Sequence, residues 1–160
     1  MPQEKLSYEQ FLEWADASQQ VFVQELHSYM LSNGCKATFE AKKTGLLGSY
    51  KHTKTKKSVI NLLLKKHGLI VRIYGENIGG YPDFLNTLPG GMVSEIEGAG
   101  ICKRLVHNTC SPKCTGYDFV IGNERFQKCR YNCFEFLVTD ESRPYIKAFV
   151  ENEMSLRAAV

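Results

Sequence analysis

The forty residues from Cys35 to Tyr74 decide the fold, and they read CKATFEAKKTGLLGSYKHTKTKKSVINLLLKKHGLIVRIY. Over Cys35–Ala41, apolar and polar residues alternate with a period of two, which is typical of a strand with one buried face. Further strands are predicted near Leu46–His52, Ser58–Leu64 and Leu69–Tyr74. The last two are joined by residues 65–68, KKHG, a hairpin turn in which the glycine is free to take a positive φ. The stretch therefore predicts an antiparallel meander.

Helical patterns precede this meander. Ser7 and Gln10 form a capping-box pattern that opens a short helix, because the hydroxyl and the amide can satisfy each other's free backbone N–H groups. A second helix is predicted from about Ser18 to a left-handed stop at Asn33-Gly34. Residues 1–17 are accordingly predicted as an N-terminal helical extension of the domain.

The chain after the meander adds helices and one more hairpin. Pro82 suits the first turn of a helix, and a shorter helix containing Met92 follows. Later elements are a hairpin of Tyr117–Ile121 with Phe126–Val138, turning at residues 122–123, and a closing helix from about Asp140. This order predicts one α+β domain over residues 1–160, with N-terminal, central and C-terminal helices packed on an antiparallel meander sheet.

The order of elements resembles the small α+β domains of the YdhG-like family, some members of which are discussed as iron chaperones. The resemblance covers most of the chain from about Ser18. It rests on element order and matches no family motif residue by residue, so it implies a fold and assigns no functional residue.

Composition places the chain among ordinary globular proteins. Hydrophobic residues are 43% and charged residues 23% of the 160 residues, which excludes disordered and collagen-like classes. The first ten residues, MPQEKLSYEQ, lack the apolar core of a secretory signal peptide. No apolar run approaches the ~20 residues of a membrane-spanning helix. We therefore predict an intracellular, cytoplasmic protein with no membrane association.

Five of the six cysteines crowd the last third of the chain, and His107 is the histidine close to them. Thiolates and imidazole bind transition metals, so the group predicts a zinc or iron site. Residues 110–114, CSPKC, are expected to form a loop that brings two sulfurs together. The expected ligands are Cys110, Cys114 and Cys133, with Cys102 or His107 as the fourth and Cys129 as the alternative to Cys133.

One expectation counts against a site that uses both Cys129 and Cys133. The two are placed in a predicted strand over Lys128–Phe136, where residues four apart share a face but stand ~13 Å apart. Both could not then bind one ion.

Two other interpretations of the cysteines stay open. Buried free thiols pack as small hydrophobic side chains and need no ligand. Alternatively, Cys110 or Cys114 is the nucleophile of a thiol enzyme, since the neighbouring Lys113, Lys128 and Arg130 could lower a thiol pKa.

Charge is distributed unevenly along the chain. Residues 42–72 hold nine of the twenty basic residues and no acid lies between Glu40 and Glu76, so the remainder is net acidic. On a meander these cations would gather at two basic tips. Such tips can meet the phosphates of nucleic acid or another polyanion, bind an anionic small molecule, or protect sheet edges in water. The predicted polyanion-binding residues are Lys51, Lys54, Lys56, Lys57, Lys65 and Lys66.

The sequence contains no G-x-S-x-G, P-loop, G-x-G-x-x-G or H-E-x-x-H motif. The leading hypothesis is therefore a non-enzymatic intracellular binding protein with a metal-binding or thiol-dependent site in its cysteine-rich third. The alternative is a regulatory module that binds a polyanion or nucleic acid through residues 42–72. A thiol enzyme is the third hypothesis.

Overall fold

The computed structural model describes residues 4–131 and 134–159. A single 3₁₀ turn, Ile78–Gly80, precedes the third helix. The chain order of the other elements is β1 (Glu4–Leu6), α1 (Tyr8–Trp14), α2 (Ala17–Ser32), β2 (Cys35–Lys42), β3 (Gly45–His52), β4 (Lys57–Lys65), β5 (Gly68–Ile73), α3 (Pro82–Leu85), α4 (Gly90–Gly98), α5 (Lys103–His107), β6 (Tyr117–Ile121), β7 (Glu124–Lys128), β8 (Phe134–Leu137) and α6 (Arg143–Ala158). The predicted α+β class is confirmed.

Six strands form one antiparallel sheet in the order β1-β2-β3-β4-β5-β8. Its centre, β2 to β5, is the predicted meander. β1 adds an edge through the pairing of Leu6 with Phe39, and β8 adds the other edge through the pairing of Ile73 with Phe134. β1 was not predicted, because three residues are too few to show a period.

The turn between β2 and β3 requires glycine at position 45. Gly45 has φ +151°, a conformation that residues with a side chain rarely adopt. A Cβ there would also collide with the carbonyl oxygen of Leu64 on the neighbouring β4. The close approach of the β2–β3 turn to β4 therefore depends on the missing side chain.

Helices cover the sheet and close one hydrophobic core. α1 and α2 contact β2, α6 contacts β4, and α4 contacts β8. The predicted second helix is confirmed as α2, and its Phe22, Leu26 and Met30 are at most 5% exposed. Phe11 of α1 is fully buried in the same core. Burial of each such side chain contributes about 1.5–3 kcal/mol.

The predicted strand over Phe126–Val138 is wrong, because the chain changes sheets within it. β6 and β7 pair with each other as a separate two-stranded sheet around the predicted turn at residues 122–123. β7 ends at Lys128, a turn follows at Arg130 and Tyr131, and β8 pairs with β5 of the large sheet. Aromatic residues alternate on both sides of the turn, so the two short strands look continuous in the sequence.

A buried ion pair fastens α6 to the chain after β5. Glu153 is 0% exposed and Arg157 is 2% exposed, and their side chains meet at 2.8 Å. Glu153 also accepts hydrogen bonds from the backbone N and side-chain Nδ2 of Asn77, both at 2.9 Å, and from the Tyr81 hydroxyl at 2.8 Å. Three of the four hydrogen bonds to this buried carboxylate come from the loop 75–81 and fix it against α6.

None of the helices in the described part of the chain combines the length and apolar composition needed to span a membrane.

Candidate functional site

Cys102 and Cys129 lie on adjacent backbone segments beside the β6–β7 hairpin. Ile101 pairs with Lys128 in an antiparallel bridge, and the Cys129 amide donates to the Gly100 carbonyl at 2.8 Å. Since side chains alternate along each segment, Cys102 and Cys129 share the face opposite to that bridge. They are diagonal neighbours, with roughly 7–8 Å between their backbones.

The loop after α5 carries Cys110 and Cys114 toward this pair. Asn108 ends the helix in the left-handed conformation at φ 53°. Residues 111–114 then form a turn, in which the Cys114 amide donates to the Ser111 carbonyl at 3.0 Å. Pro112 occupies the second position of that turn, which its ring favours. The predicted loop over CSPKC is confirmed.

Gly116 allows the loop to lie directly on Cys102. A Cβ at Gly116 would collide with the Cβ and Sγ atoms of Cys102. Cys114 is two residues from this contact, a distance that the chain spans in about 7 Å at most. The contact therefore brings the CSPKC turn next to Cys102.

Electrostatics shows the same proximity. The pKa of the Cys114 thiol is raised by loss of hydration and then by negative charge on Cys110, Cys102 and Cys129, whereas Arg130 acts in the opposite direction. Three separate segments of the chain therefore bring Cys102, Cys110 and Cys129 within electrostatic reach of Cys114.

The convergence is not a closed coordination shell. Within residues 4–131 and 134–159, no group of three or more His, Cys, Asp or Glu side chains is arranged to hold a metal ion. Cys133, one of the expected ligands, lies outside the described residues. His107 ends α5 in an exposed position, and none of the contacts found in the described ranges joins it to the thiols.

The correction of the strand over Lys128–Phe136 removes the objection to this site. Cys129 follows the end of β7, and the chain turns immediately after it. The separation of ~13 Å applied only to a continuous strand. The spacing of cysteines 129 and 133 therefore no longer excludes their binding one ion.

The sixth cysteine is separate from this group. Cys35 is on β2, is 6% exposed and belongs to the hydrophobic core. Burial raises its pKa to about 11, although Arg157 acts in the opposite direction. It packs as a small hydrophobic side chain and provides an internal comparison for the other five.

The lysines of the predicted polyanion-binding segment lie at two opposite ends of the large sheet, as predicted for two basic tips. The Lys54 tip consists of Lys51, Lys54, Lys56 and Lys57 around the β3–β4 turn, and the Lys65 tip consists of Lys65, Lys66 and the adjacent Lys42. β4 separates the tips by about 26 Å, at the usual rise per strand residue. The two tips are therefore separate surfaces.

The Lys65 tip has an aromatic neighbour that the sequence analysis did not single out. Trp14, at the end of α1, is 74% exposed. Together with Lys42, Lys65 and Lys66 it lines a groove of about 560 Å³. The signal available in the sequence was a tryptophan on a short amphipathic helix, but its place beside the hairpin turns depends on how α1 packs.

No protein-family model, curated protein or solved structure matches this chain.

Proposed function

We propose that the protein binds a thiophilic metal ion, zinc in the first place and iron in the second, through Cys102, Cys110, Cys114 and Cys129. The observation that supports this best is the convergence of these four cysteines from the start of α5, the CSPKC turn and the end of β7. Soft thiolate sulfurs are the ligands of structural zinc and of iron–sulfur centres. Cys133 is a further ligand in this proposal.

The repulsion among the thiolates gives a physical reason for a cation. Without one, loss of hydration and then the neighbouring sulfurs of Cys110, Cys102 and Cys129 raise the Cys114 pKa. A bound divalent cation acts in the opposite direction, because it attracts thiolates, and binding then releases protons.

The two other interpretations of the cysteines fit the exposure and the charge less well. Packing as small hydrophobic side chains accounts for Cys102, which is 3% exposed, but Cys110 is exposed and Cys114 and Cys129 are partly exposed. A thiol nucleophile needs a lowered pKa, whereas that of Cys114 is raised. The predicted cytoplasmic location belongs to this proposal, since a reducing compartment keeps such thiols free.

Elemental analysis of protein purified without chelator or affinity metal tests the proposal. Near one zinc or iron per chain is expected, with three or four thiols protected from Ellman's reagent until the metal is removed. The C114S variant should lose the metal. The matched variant C35S removes a thiol from the hydrophobic core and should retain the metal.

The proposal would be contradicted if the purified protein held no metal, if the thiols of the proposed ligands all reacted with Ellman's reagent, and if adding zinc did not protect them. Equal metal content in C114S and in the parent protein would exclude Cys114 as a ligand. The YdhG-like resemblance stays a prediction, and finding iron in place of zinc would favour it.

The second candidate function is binding of single-stranded nucleic acid at the Lys65 tip. The exposed Trp14 favours it, because an indole can stack on an unpaired base while adjacent lysines meet phosphates. Trp14 is the single tryptophan of the chain, so its fluorescence reports directly on the groove. Quenching by an oligonucleotide that weakens steeply with salt, and disappears in K65A/K66A but not in K54A/K56A, is expected. Equal quenching in both variants would contradict a site at this tip.

A further inference from the structure

A second cavity lies at the other end of the sheet, between the β3–β4 turn and the C-terminal end of α6. Its volume is about 440 Å³, within the range of pockets that hold small metabolites. The lining residues are Lys54, Thr55, Lys57, Glu76, Asn77 and Arg157. The wall of the cavity thus combines two lysines of the Lys54 tip with the buried arginine of α6.

Arg157 brings a preorganised guanidinium to this wall. Its Nε donates to Glu153 at 2.8 Å, and its two Nη atoms donate to the carbonyl oxygens of Lys57 at 3.3 Å and Tyr74 at 2.9 Å. A guanidinium has five N–H donors, so these three hydrogen bonds leave two N–H groups without an acceptor among the described residues. Glu153 neutralises the charge of Arg157 and also accepts hydrogen bonds from Asn77 and Tyr81, which fixes the orientation of the guanidinium.

The charges on the cavity wall favour an anion. Lys54, Lys57 and Arg157 stand against two carboxylates, Glu76 in the lining and Glu153 in the ion pair with Arg157, so an excess of one positive charge remains. Glu76 is 3.6 Å from Lys57 and is also held by Arg130 at 2.5 Å, so its charge is shared. Among the ion pairs of the described residues, none involves Lys54.

His52 reports the same positive field. It is 4% exposed and accepts or donates a hydrogen bond with Thr55 at 3.0 Å, at the edge of the cavity. Its pKa is lowered by burial and then by the charges of Arg157 and Lys54. The positive charges that disfavour protonation of His52 also attract an anion into the cavity.

We propose that this cavity binds the phosphate group of a small phosphate monoester, with Lys54, Lys57 and the free N–H groups of Arg157 as its contacts. A monoester carries about −1.5 to −2 charges at neutral pH, so it is attracted by a wall with an excess of positive charge. Arginine and lysine together supply directional hydrogen bonds and charge to phosphate oxygens. None of the residues that line this cavity is a cysteine, and the proposal does not depend on the proposed metal.

Phenyl phosphate is the probe, and benzoate, which has the same ring and one negative charge, is the comparison. Binding is measured by isothermal titration calorimetry and by the NMR titration of the His52 imidazole. Phenyl phosphate should bind at least tenfold more tightly than benzoate. It should also raise the His52 pKa, since it neutralises two of the charges that lower that pKa.

The variant K54A/K57A removes two exposed side chains and should weaken phenyl phosphate binding at least tenfold. The matched variant K5A/K103A makes the same charge change at two exposed lysines that do not line the cavity, and it should bind like the parent protein. Equal loss in both variants would reduce the effect to overall charge and overturn the site. So would no binding at millimolar phenyl phosphate, or an unchanged His52 pKa.

C114S should bind phenyl phosphate unchanged, so failure of the metal proposal and failure of this one are distinguishable. If benzoate binds as tightly as phenyl phosphate, the assignment of a dianionic ligand is wrong.

Discussion

Replacing Glu153 with alanine tests whether the buried carboxylate holds α6 in place. Glu153 is 0% exposed, and the change removes the acceptor of four hydrogen bonds. Arg157, 2% exposed, would keep its charge and lose its only carboxylate partner among the described residues. Asn77 and the Tyr81 hydroxyl would lose their acceptor as well.

The size of the effect follows from the cost of an uncompensated buried charge. Breaking a buried pair by removing one partner costs about 3–5 kcal/mol. The free energy of unfolding of a domain is about 5–15 kcal/mol. E153A should therefore lose between a fifth and most of its stability, and E153Q, which keeps one acceptor oxygen, should lose less.

Urea denaturation followed by circular dichroism measures this loss. The matched control is E151A, on the same helix two residues away and exposed, where a change within about 0.5 kcal/mol is expected. If E153A were as stable as E151A, the buried pair would contribute nothing net to stability. The assignment of α6 as fastened through Glu153 would then fail.

Three further outcomes follow from the structure. Lowering the pH from 7 to 5 should destabilise the protein. Burial and neighbouring cations lower the pKa of His52 in the folded state, so His52 is protonated at a higher pH in the unfolded chain. Urea titrations should show a smaller loss of unfolding free energy in H52N. G45A should lose about 2–5 kcal/mol from backbone strain and collision with β4, whereas G98A, whose Cβ would meet open space, should change thermal stability little. In metal-free protein at pH 8, mass-spectrometric mapping should find iodoacetamide on exposed Cys110 well before buried Cys35, whose pKa is raised to about 11; equal rates would contradict the burial of Cys35.

The meander was predictable because its signals are local. Alternation over Cys35–Ala41 and glycine-containing turns specify strands and their connections without reference to the rest of the chain. The observed strands begin and end within one or two residues of the predicted ones. The helix stop at Asn33-Gly34 was equally local, with Gly34 at φ 81°.

The sheet change after β7 was not predictable from the same signals. Residues on both sides of the turn at Arg130 and Tyr131 are aromatic and alternate, so local pattern cannot tell one long strand from two short ones. The pairing of β8 with β5 decides the matter, and that pairing joins residues some sixty positions apart in the chain. The error mattered, since it supplied the argument against a shared cysteine site.

The residues of the candidate sites also fall into those that the sequence indicates and those that only the packed chain reveals. Residue type and spacing in the sequence indicate the cysteines and the lysines. No local pattern marks Gly116, whose lack of a side chain allows the loop to lie on Cys102. Arg157 is not marked either, because an i,i+4 Glu–Arg pair is a common feature of helix surfaces, and the position of Trp14 beside the lysines depends on the packing of α1.

By itself the sequence determined the α+β class, the meander, the helix boundaries near their caps and the concentration of thiols and cations in two regions. Each of these depends on interactions between residues a few positions apart. Only the tertiary structure decided which cysteines lie near Cys114. It also decided that the two basic tips are separate surfaces and that Arg157 is buried at the edge of a cavity. Those facts depend on which distant surfaces exclude water together, and burial is a property of the packed chain rather than of any local pattern.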